Sequence, residues 1–392
     1  MEPIIIVGIV LALLFNFVNG LNDAANAIAT VVTTRVLSPI KAVGMAAFFN
    51  LVGPLFFTTA IAATIGKGIV DPGMITAPLI LAAMVGAVLW VFFTSWLGIP
   101  ISSSHALIGG MLGAGIAVVG VGSILWPDPG TVLYSLEMGA AGALLCGAGL
   151  ALVAQVKGEA WWKYFKLGTM AGISIVYPLL VALGIIHISG ILAVLIFMIV
   201  SPTLGFVVSF LVGALIIRFT RDKNPPLMNL IFRRLQLFSS SFYAIGHGSN
   251  DAQNAMGIIT ALLVAGGALT EFSVPLWVIL ASCGAISLGT FLGGWRVVET
   301  MGKKITRLQP YQGFCAETSG GVVLSFVTSF GIPVSTTHAI SGSIMGVGAT
   351  RGYTAVKWGI VREIVTAWII TIPASAAVAW VAYVGNAAVL GF

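Results

Sequence analysis

The chain has 392 residues, with 18 Lys and Arg against 12 Asp and Glu, for a formal net charge of +6. Only 8% of its residues are charged while 58% are hydrophobic, and the mean hydropathy is +1.07; a soluble domain carries about 25% charged residues, so a water-facing globular surface is excluded. The positive balance is no nucleic-acid footprint either, because Lys and Arg of membrane proteins collect in cytoplasmic loops.

The expected fold class is therefore an all-α polytopic membrane protein. About 12 hydrophobic segments follow one another, at roughly 4–34, 42–65, 74–97, 104–121, 131–153, 168–187, 189–219, 235–267, 275–297, 311–331, 338–350 and 358–385. The first begins almost at Met1, with Glu2 where a signal peptide would be positive, and it reads as a retained helix. Segments 4–34, 189–219 and 235–267 exceed the roughly 20 residues that span a hydrocarbon core, and broken helices are expected in the two that contain the Asn-Asp motifs, 4–34 and 235–267. Segments 104–121 and 338–350 are short and suit the returning arms of re-entrant hairpins. Cys146, Cys283 and Cys315 lie in apolar stretches without metal-ligand spacing and read as small packing residues.

Loop charge orients the chain. The linker 154–167 carries Lys157, Lys163 and Lys166, and the linker 220–234 carries Arg221, Lys223, Arg233 and Arg234. Two segments separate them, so both lie on one side, and the positive-inside rule makes it cytoplasmic. The loops holding Arg35 and Lys41, Lys303 to Arg307, and Arg351 and Lys357 then fall inside, and both termini are expected outside.

Three landmarks recur in the same order. Asn22-Asp23-Ala24-Ala25-Asn26-Ala27 returns as Asn250-Asp251-Ala252-Gln253-Asn254-Ala255, an offset of 250 − 22 = 228 residues. Thr64-Ile65-Gly66-Lys67 returns as Thr300-Met301-Gly302-Lys303, offset by 300 − 64 = 236. Pro100-Ile101-Ser102-Ser103-Ser104-His105 returns as Pro333-Val334-Ser335-Thr336-Thr337-His338, offset by 333 − 100 = 233. Such spacing means an internal duplication: a first repeat over 1–153, connecting segments over 154–234 and a second repeat over 235–392. Because the first Thr-x-Gly-Lys loop falls outside and the second inside, the repeats are expected to be inverted, a plan of transporters with a midplane site.

The chemistry sits in the first and third landmarks. An Asp at the centre of a membrane helix costs about 2.5–3.5 kcal/mol, and here that cost is met twice. Interhelical bonding by Asn alone would not explain a duplicated Asp. Carboxylate and carboxamide oxygens suit a hard cation. In the third landmark a Gly and a Pro break the incoming helix and three hydroxyls open the next one, where free N–H groups and a partial positive charge bind oxyanions; a single copy would read as ordinary N-capping. His105 and His338 read as hairpin braces more readily than as proton carriers. His247 precedes the second motif, but Asn19 holds the corresponding place, so no duplicated role is assigned to it. Glu317 and Glu137 are weaker ion-path candidates, and Glu363, beside Arg362, reads as interfacial. An oxyanion beside two carboxylates requires a cation or a proton, so coupling follows from electrostatics. Phosphate keeps a proton near neutral pH and can donate to an Asp, whereas sulfate cannot.

On these residues the chain resembles the inorganic phosphate transporter (PiT) family over nearly its whole length. The likeness rests on Gly20 to Ala27, Gly248 to Ala255 and the two Pro/Ser/Thr/His hairpins; the long central loop of animal members is missing. The resemblance implies cation-coupled import of inorganic phosphate through inverted repeats, a prokaryotic inner-membrane location and a homodimer. It places Asp23, Asn26, Asp251 and Asn254, with Ser104 and Thr337, at sodium, and Ser102, Ser103, Ser104, Ser335, Thr336 and Thr337 at phosphate. Asn22, Asp23, Asn250, Asp251 and Gln253 complete the expected phosphate set. The expectation is thus a sodium-coupled phosphate symporter working by alternating access, with no enzymatic activity and no cofactor beyond co-transported sodium. Proton-coupled phosphate, metal-phosphate or sulfate symport is the alternative; an anion channel and an intramembrane hydrolase are distant ones.

Overall fold

The computed structural model describes residues 3–56, 58–188 and 190–390. Glu2, on which the signal-peptide reading leaned, and Ser189, at the head of segment 189–219, lie outside the described residues. Among the described residues the chain is helical, without strands; one isolated bridge joins Val70 and Ile124. In chain order the α-helices are α1 (Pro3–Thr33), α2 (Pro39–Val52), α3 (Ala60–Lys67), α4 (Ala77–Leu97), α5 (Ser103–Val118), α6 (Pro129–Val156), α7 (Trp161–Ala171), α8 (Tyr177–Ala182), α9 (Gly190–Thr220), α10 (Pro225–Ala265), α11 (Leu276–Leu292), α12 (Trp295–Glu299), α13 (Pro310–Thr328), α14 (Thr336–Ala349) and α15 (Trp358–Leu390). Seven spans among the described residues are long and apolar enough to cross a membrane, or eight if α11 and the segment from Trp295 to Lys304, bent by 64°, count as one. The remaining hydrophobic segments form shorter or more polar helices.

The motif helices are not broken. α1 and α10 run unbroken through both Asn-Asp motifs, and α9 runs through Pro202. The motif side chains point at other elements and leave their own backbone ladder intact, so nothing interrupts it. The breaks fall in the next helix of each half instead. α11 ends at Gly293, whose φ of 70° is left-handed and is easily reached without a Cβ. In the first half a 3₁₀ turn closes at Phe56 and α3 starts at Ala60.

α1 and α10 lie antiparallel. A Cβ on Gly8, near the start of α1, would press on Leu262 near the end of α10. The Asn16 amide donates to Ala252 O at 3.3 Å, and Thr34, just beyond α1, donates to Gln236, early in α10, at 2.9 Å. Each is also packed by the second helix of the other half. Gly20 of α1 presses on the Ile286 carbonyl of α11, and Gly248 of α10 on the Asn50 carbonyl of α2. Absent side chains are what allow such backbone approach.

Two hairpins complete the frame. α4 ends at left-handed Gly98 (φ 74°), and α5 starts after the capping Ser102; α13 is followed by left-handed Gly331 (φ 68°), and α14 starts after the capping Ser335. Gly109 and Gly113 set α5 against the backbone of α15, and Gly342 and Gly346 set α14 against that of α9. The buried apolar side chains form two clusters, one taking Ile5 to Val18 of α1 and Ala252 to Leu263 of α10, the other taking Ala25 to Val31 and Tyr243 to Ala244. Between these stretches of α1 and α10 lies a polar layer.

Candidate functional site

That layer is where the predicted residues meet. Asn22, Asp23, Asn26, Ser102 to Ser104, Asn250, Asp251, Gln253, Asn254 and Ser335 to Thr337 are each 3% exposed or less, so the site is closed toward both ends of the molecule. α1 and α10 bring the carboxylates in from opposite directions, and the starts of α5 and α14 bring the hydroxyls.

The two asparagines of each motif do different work. The first braces the hairpin of its own half: Ser95 of α4 donates to Asn22 Oδ1 at 2.9 Å, and the Asn250 amide donates to Thr328 of α13 at 3.2 Å. The second reaches the hairpin of the other half. The Asn26 amide donates to Thr336 and Thr337 at 3.1 and 3.0 Å, and the Asn254 amide donates to Ser104 at 2.9 Å. Four helical residues separate the two asparagines, which puts them on one face a turn apart, and each motif thereby staples the two halves together.

The carboxylates converge on a single hydroxyl. Thr336 Oγ1 lies 3.3 Å from Asp23 Oδ2 and 3.3 Å from Asp251 Oδ2. Thr337 donates to Asp23 Oδ1 at 3.3 Å, and the Asn22 amide donates to the same oxygen at 2.6 Å. Two carboxylates this close in a buried layer repel strongly unless positive charge or a proton sits with them. Oxygens for a hard cation are at hand. Asn26 Oδ1, Asn250 Oδ1, Asp251 Oδ1, Asn254 Oδ1 and Ser103 Oγ are buried with no hydrogen-bond partner among the described residues. A buried polar atom left unpaired costs about 1–3 kcal/mol, and several cluster around this one site.

Not every predicted residue points inward. Ser102 and Ser335 cap their helices, each accepting from the backbone N–H of His105 or His338 at 3.2 Å, so for the first hydroxyl of each run the N-capping reading holds. Both polar ends of the Gln253 amide are held by backbone, with Nε2 donating to Ser249 O at 2.8 Å and Oε1 accepting from Ala62 N at 3.2 Å. His105 and His338 meet edge to face at 4.9 Å between ring centres, and His338 stacks on Trp368 at 3.8 Å, which is a bracing arrangement. Glu137 and Glu363 are exposed. Glu317 is fully buried and accepts from Thr30 at 2.5 Å, Ser239 at 2.5 Å and Gln236 at 3.0 Å.

The residue that sequence reasoning missed is His247. Its Nε2 lies 3.4 Å from Asp251 Oδ2, and its Nδ1 lies 3.0 Å from Asn50 Oδ1. Asp23, His247 and Asp251 offer ligand atoms that all lie within 4.8 Å of one another. Searching for duplicated residues hid it, because the first half carries Asn19 in that place. Ser95 and Thr328 were missed too, although 328 − 95 = 233 is the hairpin offset and would have paired them.

The fold and site define a class: an integral membrane protein of transporter architecture, in which the two Asn-Asp motifs and the two hairpins share one buried polar layer. The profile of the Phosphate transporter family matches residues 19–162 and 218–379, and the chain belongs to that family. A protein of Rhizobium meliloti (strain 1021) described as "Probable low-affinity inorganic phosphate transporter" is 43% identical over 97% of this chain and 96% of its own length. One of Bacillus subtilis (strain 168) with the same description is 34% identical over 96% and 95%. A solved structure titled "The sodium-dependent phosphate transporter" superposes with a TM-score of 0.70 at 26% identity, covering 99% of this chain and 100% of that one. These relatives are described as transporters, not enzymes.

Proposed function

We propose that this chain imports inorganic phosphate by sodium-coupled symport with alternating access. The observation that carries the reading is the meeting of Asp23 and Asp251 at the Thr336 hydroxyl, at the start of a helix. Phosphate sits against the starts of α5 and α14, where the N–H groups and the hydroxyls of Ser103, Ser104, Thr336 and Thr337 receive its oxygens. Sodium ions sit between the phosphate and the carboxylates of Asp23 and Asp251, with oxygens from Asn26, Asn254, Ser104 and Thr337 completing their shells. Asn22, Asn250, Gln253, Ser102 and Ser335 position these groups through the bonds they make to the protein. The carboxylates repel an anion that arrives alone, and cations bound beside them offset that repulsion, so the anion binds well only when the cations are in place. That dependence is the coupling.

The duplicated landmarks and the antiparallel α1 and α10 support two inverted repeats, 1–153 and 235–392, rocking about this layer. The loop charges support the same orientation as before, with both termini outside a prokaryotic inner membrane, and a homodimer belongs to the same reading. Proton coupling is the second reading, and the His247–Asp251 contact at 3.4 Å favours it.

Uptake of labelled phosphate into proteoliposomes, with sodium and pH gradients imposed separately, decides between the two. Sodium-driven uptake is expected, together with weak competition by sulfate. Uptake that follows only the proton gradient would replace sodium by protons, and equal competition by sulfate would remove phosphate selectivity.

A further inference from the structure

The duplicated Thr-x-Gly-Lys landmark has no part in the ion layer, yet the structure uses both copies in the same way. Thr64 of α3 donates its hydroxyl to Gly331 O at 3.0 Å, and Thr300, just after α12, donates to Gly98 O at 2.8 Å. Each copy therefore holds the left-handed glycine at which the other half's hairpin turns. In both, the hydroxyl lies closer to that glycine than to the carbonyl one turn back in its own helix, which is 3.4 Å away for Thr64 and 3.2 Å for Thr300.

The surroundings repeat as well. A Cβ on Gly331 would lie 2.9 Å from the Ala60 side chain, and one on Gly98 would lie 3.0 Å from Cβ of Arg296, four residues before Thr64 and Thr300 respectively. A Cβ on Gly66 would lie 2.8 Å from Gly257 O, and one on Gly302 would lie 2.8 Å from Ala29 O. Gly257 and Ala29 are each seven residues past the start of an Asn-Asp motif. So each landmark seats its glycine on the motif helix of the other half and its threonine on the hairpin of the other half. Because α1 and α10 are antiparallel, Gly257 and Ala29 lie toward opposite ends of the pair, and the two clasps seal opposite ends of the site.

We infer that Thr64 and Thr300 are the latches of two gates, Thr64 holding the hairpin between α13 and α14 and Thr300 the hairpin between α4 and α5. The assignment rests on the alternating-access reading above. Both latches are closed in this structure, in keeping with the complete burial of the ion layer. Release of one frees a hairpin to move away from the layer at that end while the other still seals its own. The latches are unequal: Arg296 also donates to Trp96 O at 2.5 Å and lies over the Trp96 ring, whereas Ala60 in the equivalent place offers no donor. The Thr300 gate is thus the more firmly held.

The test labels single cysteines in the reconstituted full chain with a thiol reagent, after Cys146, Cys283 and Cys315 are replaced by Ala. The reporters are Ile101→Cys and Val334→Cys, both buried in the hairpin turns. Thr64→Val, which keeps the shape and removes the hydroxyl, is expected to speed labelling at position 334 by about fivefold, the worth of one hydrogen bond, and to leave position 101 unchanged. Thr300→Val is expected to do the reverse, and Arg296→Ala to act with Thr300→Val on position 101 alone. Thr→Ser at either site keeps the hydroxyl and restores slow labelling, which separates the latch from a packing defect. Unchanged labelling in both valine variants, or equal acceleration at both reporters, overturns the inference. Labelling is read without phosphate or a cation gradient, so a wild-type chain that fails to take up phosphate would refute the proposed cargo and leave the latch result standing.

Discussion

The two halves of the ion layer are alike in their carboxamides and unlike around their carboxylates. Asn22 and Asn250 each brace their own hairpin, and Asn26 and Asn254 each clasp the other one. Asp23 has both oxygens engaged, by Asn22, Thr336 and Thr337, whereas Asp251 meets Thr336 and His247 and keeps Oδ1 without a partner among the described residues. The residues that dock hairpins correspond between the two motifs, while the charge environment differs. Asp23 is built into the scaffold of the site, and Asp251 keeps more of its bonding capacity for cargo.

Substitution of the carboxylates is the strongest way to break that contrast. A cation held in the layer would lose one partner of a buried ion pair, a loss of about 3–5 kcal/mol, so Asp23→Asn and Asp251→Asn are each expected to lower cation-driven phosphate uptake by about 100-fold or more. Thermal unfolding separates them: Asp23→Asn disturbs three hydrogen bonds and lowers the melting temperature further than Asp251→Asn does. Equal melting temperatures would show that the two carboxylates share one structural role.

Glu317 comes next in size. It gathers Thr30 from α1 with Gln236 and Ser239 from α10, tying the two motif helices together beyond the ion layer. Glu317→Gln keeps the volume but replaces an accepting oxygen by an NH2 donor facing other donors, losing hydrogen bonds worth about 0.5–1.5 kcal/mol each. Uptake is expected to fall about tenfold with a lower melting temperature, and Glu317→Ala is expected to be worse on both measures.

His247→Asn makes the halves alike. The His247 ring nitrogen stands 3.4 Å from Asp251 Oδ2, a contact that the Asn19 side of the layer lacks. Because the ring crowds that carboxylate on one side, losing the contact is expected to change the KM for sodium by about fivefold, the worth of one hydrogen bond, with the KM for phosphate changed less. An unchanged KM for sodium would show that His247 takes no part at the carboxylates.

The smallest effect belongs to Gln253→Leu. Its amide serves only backbone partners, so the expected outcome is about 1 kcal/mol of lost stability with KM for phosphate within about twofold of wild type. A large rise in KM would place Gln253 at the cargo after all.

Much of this protein is legible in its sequence, for identifiable reasons. An Asp in an apolar stretch is too costly to persist without a task, and three landmarks at near-constant spacing cannot arise by chance, so the two motifs and two hairpins stand out without a structure. Helix continuity was not legible. The Asn-Asp stretches looked like breaks because they lie in segments longer than one span needs, yet these side chains find partners on the hairpins and leave their own backbone bonds alone. His247 was hidden because a search by symmetry discards whatever the other half lacks.

Composition, patterning and repeat spacing by themselves determined the membrane class, the recurring landmarks, the polar residues of the buried layer and the hairpin turns, since each is a property of local sequence weighed against an apolar solvent. Only the tertiary structure decided which half each asparagine serves, that both carboxylates share the Thr336 hydroxyl, that His247 stands beside one of them, and that each Thr-x-Gly-Lys clasps the opposite hairpin. Those are contacts between residues hundreds of positions apart, and close packing of glycine-faced helices, which no local pattern records, is what brings them together.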